Sequence, residues 1–181
     1  MELIYRLRVS IEMSAIRIAG AMPIHALRLL ALRLARANVG HDVVVYHGLN
    51  VRNPRGLTIG DGCSIGDGAS LDARGGLTIG KTVNLSTEVQ IWTAQHDWAS
   101  DQFESVTAPV TIGDRAWIGP RVIVLPGSSI GAGAVIGAGS VVKGTIPPNS
   151  LCAGSPAVPV RDRPAPSSYS LGTSRTKIWW W

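Results

Sequence analysis

The sequence predicts an all-β solenoid, with a helical segment before it and a flexible tail after it. Three observations carry this. Aliphatic residues recur at a fixed short step from residue 45 onward. The chain has 21 Gly but only one Phe and three Tyr, which suits short strands and many tight turns rather than a large aromatic core. Residues 1–40 lack the beat and are rich in leucine and arginine instead.

The helical segment, 1–40, comes first. Residues 24–37, IHALRLLALRLARA, are strong helix formers, with Pro23 placed as a first-turn residue and Gly40 as a stop. Leu27, Leu30 and Leu34 form one stripe, while Leu29 and Leu32 fall on the side of Arg28, Arg33 and Arg36. A helix with leucine on nearly every side calls for burial against its own domain or a neighbouring subunit, or for a membrane interface with snorkelling arginines. Residues 3–18 read as helical with a weaker pattern, since Leu7, Val9 and Ile11 alternate.

The solenoid, 41–161, follows. Its units begin at Val45, Val51, Ile59, Ile65, Leu71, Ile79, Leu85 and Ile91, then at Ile112, Ile118, Val124, Ile130, Ile136 and Val142. The step is six, with two steps of eight. Many units read aliphatic-Gly-x-x-small-x, as in IGDGCS and IGAGSV. Three such units make one triangular coil of about 18 residues, a one-dimensional stack in which each coil touches only its neighbours. The aliphatic residue and the small residue at the fifth position point inward, and the glycine is expected where the corner turns. Cys63 and Cys152 occupy small-residue slots, so both read as buried apolar side chains of a reducing compartment rather than a disulfide.

The tail, 162–181, is rich in Pro and Ser and ends in Trp179, Trp180 and Trp181, which predicts flexibility. The net charge of +5 is split: residues 1–40 carry +4, residues 41–160 carry −2 and residues 161–181 carry +3. A solenoid without a basic face argues against nucleic acid as a partner. No signal peptide and no long uncharged apolar run is evident. The expectation is a cytoplasmic protein, in peripheral contact with the inner face of the membrane if its arginine-rich ends bind bilayers, and then with a lipid-linked acceptor.

Between Ile91 and Ile112 the beat fails, with an excess of about fifteen residues. The insertion, at about 94–109, is polar, and an excursion that gains no core is more often functional than idle. His96, in IWTAQHDW, sits at its root, where the rigid coil still fixes it.

These hexapeptides resemble the left-handed parallel β-helix of the hexapeptide acyltransferases. HDW together with PVTIGDRAWIGPRVIVLPGSSIGAGAVIGAGSVVKGTIPPNSLCAGSPAVPV is similar to the sugar O-acetyltransferase branch, which includes maltose, galactoside, nodulation-factor and exopolysaccharide (colanic acid) types. The helical start LRLLALRLARANVG is most like the exopolysaccharide type. The resemblance covers residues 40–161 and implies a homotrimer that uses acetyl-CoA, with no metal, to acetylate a hydroxyl of a saccharide or lipid-linked polysaccharide precursor.

The site residues follow from the same resemblance. His96 matches the general base that takes the hydroxyl proton, a task suited to a neutral imidazole. Asp97, Trp98, Trp92 and Asp72 are candidates to meet the acceptor, the tryptophans by stacking on a sugar ring. Trp117 matches the tryptophan beside the acetyl end of the donor. Pro120, Ala138 and Gly139 match pantetheine-arm contacts, and Arg161 matches a basic residue at the CoA phosphates. The chain departs from the pattern twice: VKGT, residues 142–145, places Lys143 where the family has threonine and drops the lysine after it, and Val158 stands where the family has a basic residue. Both departures remove positive charge near the nucleotide, and Lys143, one position earlier, is the cofactor-binding candidate that would compensate. A metal-dependent anhydrase of the same fold would need three histidines spread across the coils, and of the four here only His96 lies beyond the first coil. N-acyl transfer to an amino sugar or xenobiotic, and a non-catalytic scaffold, are the alternatives.

Overall fold

Every third hexapeptide returns to the same face, so the repeat closes into a three-sided prism of about six turns. The computed structural model describes residues 2–164 with Tyr169 and Leu171, and side chains from Leu7 onward. Trp179–Trp181 and most of the predicted tail lie outside the described residues. Two helices, α1 (Glu2–Ala21) and α2 (His25–Leu34), precede the strands.

Three parallel sheets form the faces. Face A runs Asn38–Val39, Leu57–Ile59, Leu77–Ile79, Val110–Ile112, Ser129–Ile130, Thr145–Ile146. Face B runs Val44–Val45, Ser64–Ile65, Asn84–Leu85, Trp117–Ile118, Val135–Ile136, Ser150–Gly154, and ends with Ala157–Asp162 antiparallel to the last. Face C runs Asn50–Arg52, Ser70–Asp72, Gln90–Ile91, Ile123–Val124, Val141–Val142. The first coil therefore begins at Val39, one unit before the expected start. A shortened step from Val142 to Ile146 carries the chain into the last, incomplete coil.

The inward positions are those the repeat indicates. Ile59, Ile65, Leu71, Ile79, Leu85, Ile91, Ile118 and Ile136 are buried, and so are the fifth-position residues Cys63, Ala69, Ala116, Val122 and Ala134. Cys63 and Cys152 are both free and buried, and burial pushes the Cys63 thiol up to about 11.

The glycine after each aliphatic residue has a different reason from the one expected. A Cβ on Gly60 would lie 2.6 Å from the carbonyl oxygen of Gly80 in the next coil, so these glycines allow close stacking of coils. The left-handed turn falls two residues later, on Gly62, Gly68 and Gly139 but also on Thr82 (φ 55°), Glu88 (φ 58°), Arg115 (φ 56°) and Arg121 (φ 58°).

The helices seal the open end. Strand Val44–Val45 is the edge of face B, and α2 satisfies its unpaired backbone: Arg28 Nε donates to the Val45 carbonyl at 2.8 Å, and His25 Nε2 accepts from the Val45 amide at 3.1 Å. Burial pulls the Arg28 guanidinium below its ordinary pKa, and the charge of Asp67 works against that shift. α1 is tied to the first coil by Arg55 Nη2 on Glu12 Oε1 at 2.8 Å, and by the Gly48 amide on the Gly20 carbonyl at 3.0 Å. Two expectations for α2 are corrected. Pro23 lies before the N-cap residue Ile24 rather than in the first turn. The helix ends not at Gly40 but at left-handed Arg36 (φ 65°), where Arg36 and Ala37 amides donate to the Arg33 and Leu32 carbonyls in a Schellman motif. Gly40 is needed instead because a Cβ there would lie 2.6 Å from Asp61 Oδ1.

Candidate active site

The break in the repeat is a β-hairpin. Ala94–His96 pairs antiparallel with Ser105–Thr107, with His96 opposite Ser105. Its base is clamped to the prism: the Ala108 amide donates to the Thr93 carbonyl at 2.9 Å, and Thr93 Oγ1 accepts from the Gly75 amide at 2.9 Å in the coil below. Thr93 is fully buried, so the hairpin leaves a rigid root. The chain passes here from face C to face A, and the hairpin replaces the corner between them.

His96 is exposed, but its ring is held. Its Nδ1 lies 2.7 Å from the carbonyl oxygen of Phe103, and its ring stacks on that of Phe103 with centroids 4.5 Å apart and planes 3° from parallel. A carbonyl oxygen can only accept, so in the neutral ring Nδ1 carries the hydrogen and Nε2 carries the lone pair. Phe103 is the only phenylalanine in the chain, and sequence reasoning passed over it. The one signal was a second aromatic, after Trp98, seven residues beyond the histidine in a mostly polar insertion.

The other candidates near this corner have distinct settings. Asp97 spends one carboxylate oxygen on the Ala99 amide at 3.0 Å, shaping the hairpin turn, while Trp98 beside it is 86% exposed. Trp92 is half-buried and lies beneath the Arg52 guanidinium, 5.4 Å from the ring centroid. Asp72 is buried and gripped by Arg74, with Nε to Oδ1 at 3.0 Å, Nη2 to Oδ2 at 2.8 Å and the Arg74 amide to Oδ1 at 3.0 Å. Burial is the strongest influence on that carboxyl and raises its pKa. The hydrogen bonds and charge of Arg74, with the charge of Arg52, outweigh it and hold the group below its ordinary value. Lys143 is exposed on the same C–A corner, two coils further on.

The remaining candidates lie elsewhere on the prism. Trp117, Val135, Leu151 and Arg161 are register neighbours across face B and line one shallow cleft with Arg163 and Pro164. Three strand spacings separate Trp117 from Arg161, roughly 14 Å. The Trp117 indole is fixed by Nε1 donating to Ser86 Oγ at 3.0 Å. Pro120, Ala138 and Gly139 line a second cleft with Thr87 and Arg121, at the corner from face B to face C, where the Gly139 amide donates to the Pro120 carbonyl at 2.9 Å. Val158 is exposed on the closing strand. Among the described residues, no group of three or more His, Cys, Asp or Glu is placed to share a metal ion.

One subunit thus divides the candidates into two sets. His96, Trp92, Asp97, Trp98, Asp72 and Lys143 belong to the C–A corner, the one corner of the triangle that does not border face B. Trp117 and Arg161 belong to face B, and Pro120, Ala138 and Gly139 to its edge.

Comparison with known proteins agrees with this architecture. Residues 109–144 match the family model described as bacterial transferase hexapeptide (six repeats). The chain is 37% identical over 136 residues to WcaF of Escherichia coli strain K12, covering 75% of each chain; the name of that protein carries an inferred assignment to colanic acid biosynthesis as an acetyltransferase. A maltose O-acetyltransferase from Clostridium difficile 630 superposes with a TM-score of 0.80 at 28% identity, covering 91% of this chain and 90% of that one. A hexapeptide-repeat-containing acetyltransferase of Vibrio cholerae, complexed with acetyl coenzyme A, superposes with a TM-score of 0.80 at 27% identity, covering 87% of each chain. A galactoside acetyltransferase in complex with coenzyme A superposes with a TM-score of 0.71 at 26% identity, covering 92% of this chain and 88% of that one.

Proposed function

Because the chain belongs to the hexapeptide-repeat transferase family as an acetyltransferase, we propose that it moves an acetyl group from acetyl-CoA directly to a hydroxyl of a saccharide, with His96 as general base. The observation that carries this reading is the bond from His96 Nδ1 to the Phe103 carbonyl, which leaves Nε2 as the lone-pair nitrogen. In the reaction the acceptor oxygen attacks the thioester carbon as its proton passes to Nε2. The C–S bond then breaks, and the proton returns to the departing sulfur. The products are an acetyl ester and the CoA thiol, with no covalent enzyme intermediate. The donor lies along face B, with the acetyl end at Trp117, the pantetheine arm past Pro120, Ala138 and Gly139, and the phosphates toward Arg161. The sugar stacks on Trp98 or Trp92.

A donor on face B and a base on the opposite corner meet only if the corner of one subunit sits against the face of the next. The reading therefore includes a homotrimer with three sites between subunits. Two experiments test it. CoA thiol release is followed with hydroxyl sugars and amino sugars, and the product is treated with hydroxylamine. A labile ester is expected, whereas a resistant amide would refute O-transfer. His96→Ala and Trp117→Ala chains are then unfolded and reassembled together. Activity above that of either alone is expected, approaching about a quarter of wild type for random mixing. No gain on mixing would refute the shared site.

A further inference from the structure

The two helices carry more outward apolar surface than the solenoid uses. Ile16 of α1 and Leu32 and Arg28 of α2 face the first coil and are buried. On the opposite side Leu7, Ile11 and Ile18 of α1 and Leu27, Leu30 and Leu34 of α2 are exposed, reaching 62% at Leu7 and Ile18 and 73% at Leu34. Each set keeps helical spacing, so each is a continuous stripe. The stripes flank a groove of about 520 Å³, joined at one end by Met22 between the helices. An apolar face of this extent on a soluble surface marks an interaction site.

Charge says what covers it. Arg17 of α1 and Arg33 of α2 are exposed, and Arg36 is exposed just past the end of α2. Glu12 is taken up by Arg55 at 2.8 Å and by Arg8 at 3.7 Å. Residues 1–40 hold six Arg against two Glu. An acidic bilayer complements this combination, because leucine and isoleucine enter the acyl boundary while guanidinium groups meet lipid phosphates. No described helix is long and apolar enough to cross a membrane, which leaves an interfacial position for the pair.

We propose that the outer face of α1 and α2 docks this protein on an anionic lipid surface, lying in the interface without spanning it. The helices close the first coil, so docking stands the solenoid end-on. The root of the His96 hairpin is then two coil spacings, roughly 10 Å, beyond the first coil that the helices cover. In the trimer proposed above, all three helical caps face the same way, and three weak contacts act together.

The test uses the full chain and vesicles of phosphatidylcholine with or without phosphatidylglycerol, sedimented at about 0.1 M and about 0.5 M salt. Binding to the anionic vesicles is expected at low salt, with a loss of about tenfold or more in high salt or on neutral vesicles. The double variant Leu30→Asp with Leu34→Asp should bind about tenfold or more weakly. It should keep its solution mass and its thiol release with a soluble acceptor. Arg17→Gln with Arg33→Gln should weaken binding and flatten its salt dependence. No sedimentation with anionic vesicles at low salt would overturn the proposal. Leucine-variant binding equal to wild type would also overturn it, since the contact would then lie elsewhere, as in the tryptophan-rich tail. A fall in solution mass of that variant would overturn it in favour of a contact between copies.

Discussion

Removing the Phe103 ring should slow the reaction without loosening the donor. The His96 ring is fixed by two contacts: the bond to the Phe103 carbonyl at 2.7 Å and the stack on the Phe103 ring at 4.5 Å. Phe103→Ala deletes the second and keeps the first. A stacked aromatic pair is worth about 0.5–1.5 kcal/mol beyond area burial. If that energy serves to hold the imidazole in its reactive orientation, kcat falls by about 2- to 13-fold. KM for acetyl-CoA should not move, because Phe103 is not among the residues proposed to hold the donor, which lie on face B and its edge. Phe103 is 58% exposed, so the fold should lose little stability. Phe103→Tyr keeps the ring and should restore the rate. The assay is CoA thiol release at saturating acceptor across a pH series, with Tm recorded for each variant. An unchanged kcat would refute the positioning role. A raised KM for acetyl-CoA with kcat intact would refute the assignment of Phe103 to the base, since its ring would then serve the donor.

Other expectations concern the scaffold. Thr82 is β-branched and left-handed at φ 55°, so Thr82→Gly should stabilise by about 0.5–1 kcal/mol, seen as a small rise in Tm; a fall would mean that its side-chain packing outweighs the backbone strain. Arg28→Met keeps the stem but leaves the Val45 and Met22 carbonyls without their donor, costing about 2–4 kcal/mol in urea unfolding. The Asp72 carboxyl is held below its ordinary pKa, so its pairing with Arg74 contributes stability that is fully present above the unfolded value near 4 and is lost as pH falls through the lower folded value. Asp72→Asn should therefore be less stable than wild type at neutral pH and lose that part of the acid sensitivity, which thermal melts from about pH 7 down to about pH 3 would show.

The sequence made the periodic part of this molecule readable because a solenoid repeats its constraints. Ile59, Ile79, Ile112 and Ile130 face the same interior in successive coils, so each confirms the register of the others. The end of the stack has no such redundancy. The three-leucine stripe of α2 looks like its packing face, yet Arg28 and Leu32 are the residues turned inward. The open edge at Val45 needs a donor and an acceptor more than it needs another leucine, and periodicity does not register that demand. The left-handed turns were misplaced for a similar reason. Gly60 marks a close approach, whereas the strained position two residues later carries Thr, Glu and Arg as well as Gly. At the candidate site, the insertion and His96 were legible as a failure of the beat. Phe103 was not, because its contact depends on hairpin register rather than on spacing along the chain. The separation of His96 from Trp117 was also hidden, since it appears only when the coils are folded into three faces.

The central claim is that His96 takes the acceptor proton. Thiol release from acetyl-CoA, measured for wild type and His96→Ala with pooled mono- and oligosaccharides and with CoA affinity determined in parallel, tests it most directly. A loss on the order of a hundredfold or more in kcat with CoA affinity unchanged is expected. Equal rates in the two proteins would contradict it.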